Sequence, residues 1–296
     1  MLLILPFLHA CTNEKPQPSV PKGYAQQEIL IGLIPEQNVF RQRERYGVLK
    51  QYLADRLGVT ITFTSLSGYG NIVKRFSNEK LDGAFFGSFS YALAHQQIGV
   101  ESIARPINLD GTSTYRGYLF VRRDSRILGA SDMRGRRFAF VERATSAGYL
   151  FPLAYFRTHH VDNLSVYLGE TFFAGSHDAA ILAVLNRDAD VGAAKSTIYD
   201  QMEKEDPRIG KELQILAASD EFPENCLAVR KDLDPKLKTA LRQALLDMGK
   251  DNEGAAVLKK FGARGFVETT DGDFASVYRL TGQAGIDMTT YLYNNR

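Results

Sequence analysis

Short apolar runs that end in glycine or a hydroxyl residue, each followed at once by a helical stretch, recur along this chain of 296 residues. "LDGAFFGS" leads into "FSYALAHQQIG". "RRFAFVE" leads through Thr145, Ser146, Ala147 and Gly148 into "YLFPLAYFRTHH". "TFFAG" leads through Ser176 and His177 into "DAAILAVLNRD". Upstream, the strand candidate "EILIGLIP" precedes "RYGVLKQYLADRLG", where Tyr46, Leu49, Tyr52, Leu53 and Leu57 share one helical stripe that Gly58 ends. "VTITFTSL" and "YRGYLFVRR" read as strands and "GNIVKRFSNEK" as a short helix. "ADVGAAKS", "LQILAAS" and "CLAVRKDL" read as further strands, and "PKLKTALRQALLDMGK" as a helix opened by proline. Strand-length and helix-length segments in alternation predict an α/β fold, with sheet faces covered by helices. The length allows one large core or two lobes.

The charge balance narrows the function classes. Lys plus Arg number 36 against 34 Asp plus Glu, a net charge of +2. A nucleic-acid binder needs a basic face, which this balance does not supply. The two cysteines, Cys11 and Cys226, form no CxxC pair, and no zinc-like Cys/His spacing occurs. Cys11 closes "MLLILPFLHAC", an apolar run that resembles a lipoprotein signal over residues 1–11, with Cys11 as the lipidated mature N-terminus. A start assigned too late would account for its shortness and the missing basic region. Residues 12–27, "TNEKPQPSVPKGYAQQ", are polar and proline-containing and suit a tether. With Cys11 lipidated, Cys226 is a lone thiol. No later segment approaches the ~20 apolar residues of a membrane helix.

Three strand-to-helix junctions carry the candidate chemistry: Gly87-Ser88, Thr145-Ser146-Ala147-Gly148 and Gly175-Ser176-His177. Helix starts present unpaired N–H donors, and in open α/β sheets ligands gather at the carboxyl ends of strands. Pro152 is comfortable only in a first turn, so its helix is expected to start near Gly148 and leave the amides of Ser146 to Tyr149 free. Any one junction alone is explained as a helix cap; three together would make an oxyanion cradle. Asp178, in a first helical turn, would repel an anion unless it points away or pairs with a cation such as Lys195. Signs of catalysis are few. "SHD" at 176–178 cannot face itself as a triad, GxSxG and P-loop motifs do not occur, and "GYG" at 68–70 is too little for a dinucleotide loop. His95, His159, His160 and His177 are scattered, so neither a metal nor a cofactor is expected.

"ATSAGYLFP", "FFGSFSYALA", "AGSHDAAILAVLNRDADVGA" and "RERYGVLKQYLADRLG" resemble, in order and spacing, four motifs of the phosphate/phosphite/phosphonate-binding proteins of ABC importers. The resemblance runs from Glu28 to about Lys250. It implies a two-lobed type II periplasmic binding fold, each lobe a mixed sheet flanked by helices, with the ligand cleft between them. Lobe I would comprise 28–118 with 224–296, and lobe II 119–223. By position, Tyr46, Ser88 and Tyr91 would approach the ligand from lobe I, and Thr145, Ser146, Ala147 and His177 from lobe II. Asp178 and Lys195 stand as secondary candidates. Ala147 departs from the family's usual serine and supplies only its backbone N–H; Ser88 replaces the family's proline and adds a hydroxyl.

The resemblance implies a receptor, not an enzyme. It would capture a small phosphorus oxyanion outside the cytoplasmic membrane as a monomer, held to the membrane only by its lipid, and present it to an ABC permease of the inner membrane. Two alternatives stay open at this level: a lipid-anchored sensor of the same fold that signals to a membrane kinase or receptor, and an enzyme acting on a small anion.

Overall fold

A computed structural model describes residues 27–66 and 72–291. The signal with Cys11, the tether up to residue 26 and "GYG" at 68–70 lie outside the described residues. The first half of the chain runs β1 (Glu28–Leu33), α1 (Val39–Leu57), β2 (Thr60–Ser65), α2 (Ile72–Asn78), β3 (Gly83–Phe86), α3 (Ser88–Ile98), β4 (Glu101–Ile107) and β5 (Thr114–Arg122). It continues with β6 (Phe138–Phe140), α4 (Phe151–Thr158), α5 (Leu164–Tyr167), β7 (Thr171–Phe173), α6 (His177–Leu185) and β8 (Val191–Lys195). Then follow α7 (Ser196–Glu205), α8 (Arg208–Glu212), β9 (Leu213–Pro223), β10 (Cys226–Val229), α9 (Pro235–Leu246), α10 (Asn252–Phe261), β11 (Gly265–Glu268) and α11 (Ala275–Ala284).

Helix α1 buries the stripe read from the sequence, Tyr46, Leu49, Tyr52, Leu53 and Leu57, and ends at Gly58 in the left-handed region at φ 64°. It starts six residues earlier than the stripe suggests. Asn38 caps it by accepting the Phe40 and Arg41 N–H groups through its side chain, which satisfies donors a helix start otherwise leaves open.

The strands form two mixed sheets, in the orders β11-β4-β10-β3-β1-β2 and β7-β6-β8-β5-β9. In the first, β2, β1 and β3 are parallel and β10 runs antiparallel to both β3 and β4. In the second, β7, β6 and β8 are parallel and β5 is antiparallel to β8 and β9. The chain crosses between the sheets twice, in the links β4–β5 and β9–β10. The two links are tied together where the Glu224 N–H donates to Ser113 O at 2.9 Å. The lobe boundary expected at 118/119 falls inside β5, which belongs wholly to the second sheet, so the crossover precedes Thr114. The C-terminal helix α11 is likewise not confined to the first lobe: it packs against α4 as well as α3.

One apolar cluster joins the two sheets, from Phe86 and Phe89 to Tyr115, Val141 and Leu150. Separate clusters fill the space under α1, α9 and α10 and the outer side of the second sheet. Packing, and not ligand access, explains two glycines here. A Cβ on Gly148 would stand 2.4 Å from the Val141 side chain, and one on Gly117 would stand 2.8 Å from the Phe151 ring and 3.1 Å from Ala147 Cα. These contacts seat the Ser146 turn directly on β5 and β6. Gly148→Ala is therefore expected to destabilise the protein by about 1–3 kcal/mol through overpacking, read as a lower urea midpoint with an unchanged slope; a midpoint equal to the native one would show that the turn relaxes freely.

Candidate functional site

The carboxyl ends of β1 and β3 in one sheet face those of β6, β7 and β8 in the other, and the residues just beyond them meet. Helix α3 begins at Ser88, after Gly87 in extended conformation, and the Phe89 N–H in its first turn donates to Ser146 Oγ at 2.9 Å. Ser88 Oγ donates to Pro223 O at 2.7 Å and lies 2.8 Å from Tyr115 Oη. A hydroxyl has one hydrogen, so Tyr115 donates to Ser88. Two hydrogen bonds, Tyr115 to Ser88 and the Phe89 N–H to Ser146, thus join the second sheet to the first. All four residues are buried.

The turn carrying Ser146 is not the plain helix start expected. Residues Ser146–Leu150 form a π-turn in which Leu150 and Phe151 donate to Thr145 O and Ser146 O, and α4 follows with Pro152 in its first turn. Thr145 holds the cap position but does not cap; its hydroxyl donates to Glu142 O at 2.6 Å. The wider turn keeps the amides from Ser146 to Tyr149 outside the intrahelical ladder, a concentration of donor dipoles. Ala147 contributes its amide there, and its buried methyl packs in the cluster that joins the sheets.

At the third junction Ser176 caps α6 by accepting the Ala179 N–H. His177 is buried, and its own N–H donates to Glu36 O across the cleft. The ring accepts the Lys195 N–H at Nδ1, 3.1 Å. In the neutral ring the proton therefore sits on Nε2, a donor. Burial, opposed by the Glu36 charge, lowers the pKa of His177 from 6.5 to about 4, so it is neutral at pH 7. Asp178 accepts the Asn38 N–H at 3.1 Å and the Ser176 hydroxyl. It pairs with these donors and not with Lys195.

Lys195 corrects another expectation. Its Nζ lies 2.5 Å from Glu36 Oε1 and 2.7 Å from Glu224 Oε2, with Asn225 Oδ1 at 3.4 Å and the Tyr115 ring centroid at 4.5 Å. Two carboxylates outnumber it, so it offers no net positive charge to a ligand. Burial alone would lower its pKa; the Glu224 and Glu36 charges override this and hold it above its usual value. Burial would likewise raise Glu36, but Lys195 and then Arg45 hold it down at about 2. Asn108 Nδ2 reaches the other oxygen of Glu224 at 3.4 Å, so the cluster is fixed to both crossover links.

Of the sequence candidates, Ser88 and Ser146 come together through the Phe89 N–H, next to Ser88 in the chain, which donates to Ser146, with Thr145, Ala147 and His177 on the adjoining turns. Tyr46 stands beside them: it is buried edge-on against Phe85 and Phe261, within reach of the Glu36, Lys195 and Glu224 charges, and burial raises its pKa well above the usual phenol value. Tyr91 is not brought to the site. It packs on Phe274 at 4.2 Å and stacks on His95 at 5.7 Å. Tyr115 supplies the aromatic hydroxyl instead. Sequence reading also missed Glu36, Glu224 and Asn225, although one signal was present: "PEQ" at 35–37 and "PEN" at 223–225 are two Pro-Glu-amide tripeptides placed just after strands. Among the described residues, no group of three or more His, Cys, Asp or Glu is placed to hold a metal ion.

Two lobes joined by two crossover links, with polar groups of both lobes converging on one cleft, define a solute-binding protein. The chain belongs to the phosphonate-type periplasmic substrate-binding proteins of ABC transporters: the family model described as "ABC transporter, phosphonate, periplasmic substrate-binding protein" matches residues 31–274. It is 28% identical to the phosphate-import protein PhnD of Mycolicibacterium smegmatis over 93% of this chain and 92% of that one. It superposes on a binding-protein component of an ABC phosphonate transporter from Pseudomonas aeruginosa with a TM-score of 0.80 at 22% identity, covering 88% of this chain and 87% of that one. It superposes on PhnD1 of Prochlorococcus marinus, solved with methylphosphonate, with a TM-score of 0.76 at 20% identity, covering 87% and 98%. The fold is thus the two-lobed one expected, and the protein is an extracytoplasmic substrate-binding component of such a transporter.

The pKa shifts set an acid profile. His177 is depressed, so the unfolded chain takes its proton first, and stability falls as pH drops from 6.5 towards about 4. Glu36 is also depressed; its contribution is full above 4.5 and lost as pH falls towards about 2. Glu36→Gln is expected to flatten the stability–pH curve below 4.5 and His177→Asn above it, both read by urea unfolding; parallel curves for variant and native protein would contradict these assignments.

Proposed function

We propose that this protein captures a small phosphorus oxyanion (phosphite, phosphate or an alkylphosphonate) between its lobes and delivers it to an ABC permease of the inner membrane, itself held to the membrane through a lipid on Cys11 and acting as a monomer without turning its ligand over. The observation that carries the reading is the set of buried hydroxyls of Ser146, Tyr115 and Ser88 with the Phe89 N–H, joined across the lobes by the Tyr115–Ser88 and Phe89–Ser146 bonds. These donors come from both lobes and are neutral.

When the lobes part about the two crossover links, the Phe89–Ser146 and Tyr115–Ser88 bonds break. A ligand oxygen entering there takes the Phe89 N–H and the Ser88 hydroxyl from one side, and the Ser146 hydroxyl with the amides of its turn from the other. Ligand affinity for the closed form exceeds that for the open form by these bonds, and that difference drives closure. Helix and turn N-termini stabilise the anion without a basic side chain, consistent with a Lys195 already neutralised. His177 Nε2–H and the Tyr46 hydroxyl extend the donor set; Thr145 shapes the turn.

The test is calorimetric titration with phosphite, phosphate, methylphosphonate and sulfate. One-to-one binding of a phosphorus anion is expected, with sulfate weak. Ser146→Ala removes a bond to a charged group, about 1.5–3 kcal/mol, a loss of roughly tenfold to a hundredfold in affinity. Native affinity in Ser146→Ala would overturn the site assignment. Heat of turnover, or no binding across the panel, would overturn the receptor reading.

A further inference from the structure

Beside the Tyr115–Ser88 hydroxyl pair lies a complete cage for an ammonium group. Glu36 and Glu224 are each 4% exposed and come from separate elements. Their oxygens stand 2.5 and 2.7 Å from one nitrogen, with the Asn225 carbonyl oxygen at 3.4 Å and the Tyr115 ring face at 4.5 Å. Two carboxylates, an amide oxygen and an aromatic face are the groups that recognise a cationic amine. The nitrogen in the cage belongs to Lys195, so the protein fills the cage from its own chain.

The cage and the oxyanion donors share a residue. Tyr115 presents its hydroxyl to Ser88 and its face to Lys195 Nζ. The two halves are therefore about one ring apart, the separation spanned by a zwitterion with an oxyanion at one end and an amine a few bonds away. We propose that Lys195 determines specificity: by occupying the cage it excludes aminoalkylphosphonates and restricts the cleft to phosphorus oxyanions without an amine. Two carboxylates and one ammonium leave a charge of −1 beside the cleft, which also disfavours a second anionic group on the ligand. The inference rests on the receptor reading above.

The experiment compares methylphosphonate with 2-aminoethylphosphonate by calorimetric titration of three proteins. The native protein is expected to bind methylphosphonate at least tenfold more tightly than the amino compound. Lys195→Met empties the cage and is expected to shift that ratio at least tenfold towards 2-aminoethylphosphonate. The double variant Glu36→Gln/Lys195→Met keeps the native charge of −1 and one carboxylate, Glu224, and is expected to shift the ratio the same way even where the single variant folds poorly. Equal native binding of the two compounds, or an unchanged ratio in the folded variants, overturns the inference and leaves the receptor reading standing. Native protein that binds no phosphorus anion overturns both.

Discussion

Lys195 holds three parts of the chain at one point. Glu36 follows the first strand of one sheet, Lys195 ends a strand of the other, and Glu224 sits in a link between them. None of these charges tolerates burial alone; breaking such a group by removing one partner typically costs about 3–5 kcal/mol. The requirement that the two carboxylates share one ammonium therefore fixes how the lobes approach. Asn108 and the Glu224–Ser113 backbone bond fix the same point to both crossover links. In the proposed lobe motion about those links Lys195 leaves Glu36, so the ion cluster and the Tyr115–Ser88 and Phe89–Ser146 bonds open and close together.

A division of labour between charged and neutral groups follows. The one ammonium of the cleft is taken up by two carboxylates, and His177 is neutral because burial outweighs the pull of Glu36. In the proposed receptor, what is left to meet an anion is a set of neutral donors: the α3 N-terminus, the π-turn at Ser146 and three hydroxyls. Neutral donors in a water-excluded cleft bind an oxyanion without a competing cation, and they release it when the lobes part. That suits a protein that must give up its cargo. The cation that would ordinarily balance the anion is instead committed to the scaffold.

Much of this was legible in the sequence where the signal is local. The α1 stripe from Tyr46 to Leu57, its stop at Gly58 and the junctions at Ser88 and His177 depend on neighbouring residues, and the chain folds there as its pattern indicates, while at Ser146 the junction stands where expected but is a π-turn. Tyr91 failed for a physical reason. Residues 88–94 of α3 are all buried, so that helix has no polar face to reveal which side meets the cleft. At Gly148 the missing Cβ makes room for Val141, a contact between segments that the local pattern does not show. Glu36 and Lys195 are 159 positions apart and meet only through the sheet topology, as do Tyr115 and Ser88. No periodicity encodes such pairs. The paired "PEQ" and "PEN" tripeptides were the one local trace of them.

The most direct test of a cleft that grips its ligand from both lobes is amide hydrogen exchange followed residue by residue, with and without methylphosphonate. The Phe89 amide reports on the first lobe and the Ser146–Tyr149 amides on the second. The structure predicts that ligand slows exchange at both places together, because closure forms both halves of the cradle at once. Protection at one of them alone, or at neither while ligand is bound, would contradict it.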